Sequence, residues 1–174
     1  PRPTVADPEA ARSLAGHPWD LSLDQLASDG LLLARPLLRL LALLAAAPIP
    51  RCLLTPQLLA EVSDSTVSTA ALDAALDGLD RYGLVDTPDP TRTHDVTTLT
   101  MHPLVRETTS LLLEHATDPR PWRDAVSTAL IAQVGDTVAA GRDGWETAQL
   151  LAPHLPLLTG LASDDLETFR PAQM

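Results

Sequence analysis

The sequence predicts a mainly α-helical protein, and three observations lead to this prediction. Of the 174 residues, 45% are hydrophobic but only 3% are aromatic, so the core has to be built from Leu, Ala and Val. Leu and Ala are also strong helix formers. Convincing β-strand patterns occur in only two short segments, 84–86 and 99–101. Together these features exclude a disordered chain and favour a helical fold with a small β element.

The first two helices are predicted from apolar spacing and from the residues at their ends. The first spans about 19–28, because Leu23 and Leu26 lie on one face and Gly30 follows it. The second is expected to begin at Pro36, whose fixed φ suits a first helical position. Its leucines surround the helix on nearly all sides, which predicts a central, buried position. The prolines that follow end it.

Two more helices and a β-hairpin come next. A third helix is expected after Thr55, which can cap a helix with proline in its first turn. Ser68 is predicted to cap a fourth helix, and Gly83 to end it. The strands 84–86 and 99–101 then form a two-stranded wing around a long polar loop, Thr87 to Asp95, in which mobility is expected.

A fifth helix, from Pro103 to about His115, is expected to complete a winged-helix domain over residues 19–117. Its inward face is predicted to carry Leu104, Thr108, Leu111 and Leu112. Residues 1–18 are interpreted as a proline-rich linker, and 118–174 as a helical arm that leads towards a helical repeat array. The predicted core contains these leucines: Leu23, Leu40, Leu44, Leu72, Leu76, Leu79, Leu104 and Leu111.

Charge and composition bear on the classes of partner. The formal net charge is −11 and the pI is about 4.6, which argues against binding DNA or an anionic membrane, since both attract basic surfaces. The Leu-rich run 31–47 is interrupted by Arg35 and Arg39, so it is interpreted as a buried helix and not as a membrane span. Cys52 is the only cysteine. We expect it to be a small buried hydrophobic residue in a cytoplasmic protein.

Several segments, in order and at suitable distances, resemble one protein family. The residues that carry the resemblance are WDLSLDQL at 19–26, ARPLLRLLALLAAAPIP at 34–50, LDGLDRYGLV at 76–85, MHPLVRETT at 101–109 and PHLPLLTGL at 153–161. They are similar to the winged-helix region and first arm helices of bacterial NB-ARC-type STAND ATPases with C-terminal tetratricopeptide repeats.

The resemblance implies a regulatory part of a signal-transduction switch. In that family an upstream P-loop domain holds ADP in a closed state, exchange for ATP releases it, and the downstream repeats sense the trigger. This chain has no G-x-x-x-x-G-K-[ST] motif and no Lys, so it cannot hold phosphates by that route. It also begins at Pro1 without Met. We therefore expect a non-catalytic fragment without its own cofactor, whose parent binds ADP or ATP and whose partners are proteins.

One position carries candidate chemistry. In the family, a Met-His-Asp-like motif places a histidine on the β-phosphate of ADP, and the matching residues here are Met101, His102 and Pro103, with Pro103 in place of Asp. His102 precedes a proline, so its backbone is steered to extended angles just outside the fifth helix. The helix N-terminus attracts anions. The alternative reading is that His102 caps the helix or bonds to the backbone.

Two other functions compete with the switch. The chain could be a helical protein–protein interaction scaffold, in which case the wing would be absent. It could be a winged-helix DNA-binding regulator, but the fourth helix would present Asp73, Asp77 and Asp80 to the phosphates, opposed only by Arg81. No metal site is expected, because the remaining histidines show no ligand spacing. These are His17, His94, His115 and His154.

Overall fold

The computed structural model describes residues 19–63, 65–87, 97–116 and 118–158, with the side chains of 115 and 116 excepted. The predicted linker 1–18, residues 88–95 of the predicted wing loop with its expected mobility, and the arm beyond 158 lie outside these residues.

Over the described residues the chain is mainly helical, as predicted. The first helix, α1, is described over 19–28. The other elements follow in the order α2 (Ala34–Leu43), β1 (Ile49–Pro50), α3 (Pro56–Ser63), α4 (Thr69–Arg81), β2 (Val85–Asp86), β3 (Thr98–Met101), α5 (Pro103–Ala116), α6 (Arg120–Ala140) and α7 (Trp145–Leu151). Short 3₁₀ helices occupy Arg51–Leu53, Gly141–Gly144 and Ala152–His154.

The helix ends form largely as the sequence predicts. Gly30 has a φ of +86°, and the amide of Leu31 donates to the carbonyl of Leu26 at 2.8 Å, which ends α1 in the way that glycine favours. The Thr55 and Ser68 hydroxyls accept amide hydrogen bonds at 3.1 Å, and so cap α3 and α4. The start of the second helix was misplaced by one half-turn: α2 begins at Ala34, not at Pro36.

The sheet has three strands, where the sequence predicted two. In the order β1-β3-β2, β3 lies in the centre and both neighbours are antiparallel to it. Ile49 pairs with Leu99 and Pro50 with Thr98. The strand β1 was missed because two residues are too few to show alternation. Its proline is tolerated because it lies on the sheet edge, where the lost N–H is not needed.

Helix α2 is the centre of the core. It packs against α3, α4, α5 and α6, and four of its leucines are at most 1% exposed: Leu37, Leu38, Leu40 and Leu41. The predicted core residues Leu23, Leu40, Leu44, Leu72, Leu76 and Leu79 are all buried. A helix that is apolar on all sides is therefore surrounded by other elements, as the pattern indicated.

The inward face of α5 was predicted wrongly. Leu104 is 45% exposed, Leu111 36% and Leu112 47%, whereas Val105 and Leu113 are buried against α2. Apolar residues occur on both sides of α5, so spacing alone does not decide which side faces inward. The observed orientation of α5 includes a hydrogen bond to the end of α2, in which the Ser110 hydroxyl donates to the Ala42 carbonyl at 2.9 Å.

The arm shares the core of the preceding helices. Helix α6 packs against α2 and α3, and α7 packs against β1. On α6, Trp122, Val126 and Leu130 recur every four residues along one face and are buried in the same hydrophobic cluster as α2. Helix α7 ends just before Pro153 and gives way to a 3₁₀ turn. Within the described ranges, no helix has the length and apolar character needed to cross a membrane.

Candidate functional site

His102 lies between the end of β3 and the first turn of α5. Its carbonyl accepts the amide hydrogen of Arg106 at 3.0 Å, which is the first helical bond of α5. Its ring nitrogen Nδ1 accepts from the amide of Leu104 at 3.2 Å. His102 is therefore the N-cap of α5, with Pro103 at the first helical position, where a missing N–H costs nothing.

This cap determines which atom of the His102 ring faces a ligand. Because Nδ1 accepts a hydrogen bond, the hydrogen of the neutral ring is on Nε2. The side chain is exposed, so Nε2–H is a donor next to the positive end of a 14-residue helix. Capping and anion binding are compatible here, because they use different ring nitrogens.

A cavity of about 140 Å³ opens beside the same helix start. The loop between α2 and β1 forms one wall, and Thr100, Met101 and Pro103 line the other. Arg106 is the one charged side chain in this lining. The cavity therefore combines an apolar wall with a single cation, one helical turn after His102.

Arg106 is the site residue that sequence reasoning missed. Its Nη1 reaches the Leu44 carbonyl at 3.4 Å, a long contact, and its Nε is buried with no hydrogen-bond partner among the described residues. The available signal was its spacing of four residues from His102, about one helical turn along α5.

His154 was set aside in the sequence but is an important structural residue. It is 1% exposed, and its Nδ1 accepts the Ala45 amide hydrogen at 3.1 Å. Its Nε2 lies 3.2 Å from the Pro48 carbonyl. Burial lowers the pKa of His154 below its ordinary value. No sequence signal could have found these partners, since they are backbone atoms more than 100 residues earlier.

The acidic face of α4 is present, and part of it is used within the fold. Asp73 forms an ion pair with Arg51 at 2.6 Å. Asp80 accepts the amide hydrogen of Thr87 at 3.1 Å. Asp77 is exposed. The exposed surface of α4 is therefore acidic, with Arg81 at its end.

Cys52 is exposed, so the prediction of a buried thiol was wrong. In a 3₁₀ turn successive side chains point about 120° apart, and here Leu53 faces inward while Cys52 does not. Partial burial raises the pKa of the Cys52 thiol. Among the described residues, no group of three or more His, Cys, Asp or Glu side chains could hold a metal ion. His17, His94 and the side chain of His115 lie outside those residues.

Comparison of the chain with protein-family models, with curated proteins and with solved structures finds no match.

Proposed function

We propose that this chain is the winged-helix and helical-arm part of a nucleotide-controlled signalling switch of the NB-ARC/STAND type. In this proposal it couples an upstream P-loop domain to downstream sensor repeats and performs no catalysis itself. ADP is held by the upstream domain, and His102 contacts its phosphate in the closed state. The observation that carries the proposal is the position of His102 at the start of α5, with Nε2–H turned away from the cap.

The element order supports the winged-helix assignment. The described elements run helix, strand, helix, helix, strand, strand from α2 to β3, and β1 completes the sheet in the order β1-β3-β2. Winged-helix domains have the same element order, and in the proposal α3 and α4 are the helix-turn-helix pair. The third strand thus strengthens the resemblance, although it was not predicted.

The charges around the cavity support a phosphate ligand. A nucleotide phosphate approaching His102 would meet the Nε2–H donor and the positive end of α5, and Arg106 lines the cavity beside that helix start. Among the described residues, no acidic side chain lines this cavity. An overall negative chain thus offers a local site of the opposite sign.

The test is the rate of ADP release from the purified full-length protein. His102→Asn keeps a side-chain acceptor for capping α5 but removes the imidazole. A charge-assisted hydrogen bond is worth about 1.5–3 kcal/mol, so release should accelerate by roughly tenfold to a hundredfold. Gln57→Ala, an exposed change on α3, is the matched control and should leave the rate unchanged. Equal rates for wild type and His102→Asn would reject the phosphate contact.

A second candidate is a helical interaction scaffold, although β2 and β3 do pair as the strands of a wing. In its favour, Ile131 and Val138 lie seven residues apart on α6 and are 62% and 75% exposed, and Trp145 at the start of α7 is 68% exposed. Such exposed apolar residues are typical of surfaces that bind other proteins. A scaffold without nucleotide control would bind its partner equally with ADP or ATP present, whereas the switch would not.

A further inference from the structure

The loop between α2 and β1 is fastened to the arm by one side chain. His154 follows α7 and is buried beneath residues 44–48. Its two ring nitrogens contact the Ala45 amide and the Pro48 carbonyl. The same loop residues line the cavity next to α5. One histidine therefore joins the C-terminal arm to a wall of the candidate site.

The hydrogen bonds require a neutral ring in one tautomer. The Ala45 amide can only donate, so Nδ1 has to be unprotonated, and the hydrogen on Nε2 is donated to the Pro48 carbonyl. A proton added at Nδ1 would face the Ala45 N–H, so that two donors oppose each other. The contact cannot survive protonation without movement of either the loop or the arm.

Among the described residues, no acidic side chain forms an ion pair with His154. Arg106 approaches the loop from α5, and Arg51, just after β1, is paired with Asp73. On the arm, Glu146 is exposed to solvent, as are Arg142 and Asp143 in the preceding turn. A protonated ring would thus be a buried charge without an ion-pair partner among the described residues.

We propose that His154 is a pH-sensitive latch, which holds loop 44–48 against the end of α7 when its ring is neutral and releases it when the ring is protonated. Release would free one wall of the cavity beside Arg106. The consequence for nucleotide binding rests on the proposed function, in which the latch regulates the site around His102. The latch itself requires no nucleotide.

The pH range in which the latch opens follows from the direction in which the His154 pKa is shifted. The pKa of His154 is lowered in the folded chain from its ordinary value of 6.5, so the released state binds a proton more readily than the latched state. The latch is at full strength above about pH 6.5 and weakens as the pH falls below that value. For one linked proton, the population of the released state rises about tenfold per pH unit, until the folded pKa is reached.

The experiment is amide hydrogen exchange on the whole chain, followed by NMR between pH 5 and pH 8 without nucleotide. The protection factor of the Ala45 amide is expected to be constant above about pH 6.5 and to fall about tenfold per unit below it. The Leu58 amide is the internal control, because it donates to the Thr55 hydroxyl, which does not titrate. A flat Ala45 profile, or one that falls in parallel with Leu58, would overturn the latch.

A non-titrating variant sharpens the result. His154→Gln offers one acceptor and one donor but gains no charge in this range, so its Ala45 protection should not depend on pH. A dependence that persists in His154→Gln would assign the effect to another group and reject the proposal. If this variant does not fold, the wild-type profile and the ¹⁵N shifts of His154 decide the matter. The latched ring has to show the Nε2–H tautomer. Because ADP is absent throughout, failure here is separate from failure of the phosphate contact.

Discussion

Gly144 packs directly against the backbone carbonyl of Thr137. A Cβ atom at position 144 would overlap the Thr137 oxygen, and Gly144 is buried in the 3₁₀ turn between α6 and α7. This close approach lets the chain fold back sharply after α6. The returning helix α7 can then reach β1 and bring His154 beneath the loop before that strand.

Two glycine substitutions should therefore change stability in opposite directions. Gly144→Ala forces a methyl group against a backbone atom, so we expect a loss of about 1–3 kcal/mol in the free energy of unfolding. Gly135→Ala is the matched control, because a Cβ there has no neighbour within 4 Å. In the middle of α6 it should add up to about 1 kcal/mol. Urea unfolding measures both, and a Gly144→Ala variant as stable as Gly135→Ala would contradict the close approach.

The corrected face of α5 gives a second matched pair. Leu113 is 1% exposed, whereas its neighbour Leu112 is 47% exposed. Leu113→Ala should cost about 2–5 kcal/mol, since it leaves a cavity against α2. Leu112→Ala should change stability by no more than about 0.5 kcal/mol. Thermal or urea unfolding of the two variants measures both changes. A larger loss for Leu112→Ala than for Leu113→Ala would support the inward face that was predicted from the sequence.

Local signals in the sequence were enough to predict most of the helices. Thr55 and Ser68 cap through their own hydroxyls, and Gly30 takes a left-handed φ, so each boundary depends on chemistry within a few residues. Strand β1 and the orientation of α5 depend on distant partners. Ile49 becomes a strand residue only by pairing with Leu99, and no window of the sequence contains that information.

The residues of the candidate site also differ in whether local sequence could identify them. His102 was identified through the motif resemblance, with its place before a proline and a helix as support, and its capping bond lies within two residues of it. Arg106 could have been added from its i+4 spacing. His154 could not, because its partners are main-chain atoms that any residue would supply. Its role arises from the packing of α7 on β1.

A third prediction concerns the contact between the central helix and the arm. The guanidinium carbon of Arg39 lies 5.7 Å from the ring centroid of Trp122, which is within cation–π range. Burial, and secondarily the nearby charge of Arg35, lowers the pKa of Arg39, so removing its charge also relieves a desolvation cost. A double-mutant cycle of Arg39→Met and Trp122→Leu separates these effects. We expect a favourable coupling of about 0.5–2 kcal/mol. A coupling free energy of zero would mean that the contact between Arg39 and Trp122 does not stabilise the fold.

A fourth prediction is that the chain does not bind duplex DNA at physiological salt. The surface of α4 carries exposed Asp77 and Asp80, and the net charge is −11, so phosphates are repelled. Fluorescence anisotropy with a labelled duplex should stay at the value of free DNA. Salt-dependent binding that disappears in Arg81→Ala would contradict this and favour the DNA-binding regulator.

The last prediction separates the two roles of His102. His102→Ala removes the acceptor for the Leu104 amide, so the isolated chain should lose about 0.5–2 kcal/mol of stability. His102→Asp supplies a strong capping acceptor and a negative charge at a helix N-terminus, so it should be at least as stable as wild type.

If the chain is part of the proposed nucleotide switch, the order of the two variants should reverse for nucleotide binding by the full-length switch. The Asp side chain would repel the ADP phosphate, so His102→Asp should release ADP faster than His102→Ala although it is the more stable of the two. Thermal unfolding of the chain and ADP off-rates of the full-length protein supply the two readouts. The off-rates could instead follow stability, so that His102→Asp releases ADP at the wild-type rate and only His102→Ala releases it faster. In that case His102 acts only as the cap of α5.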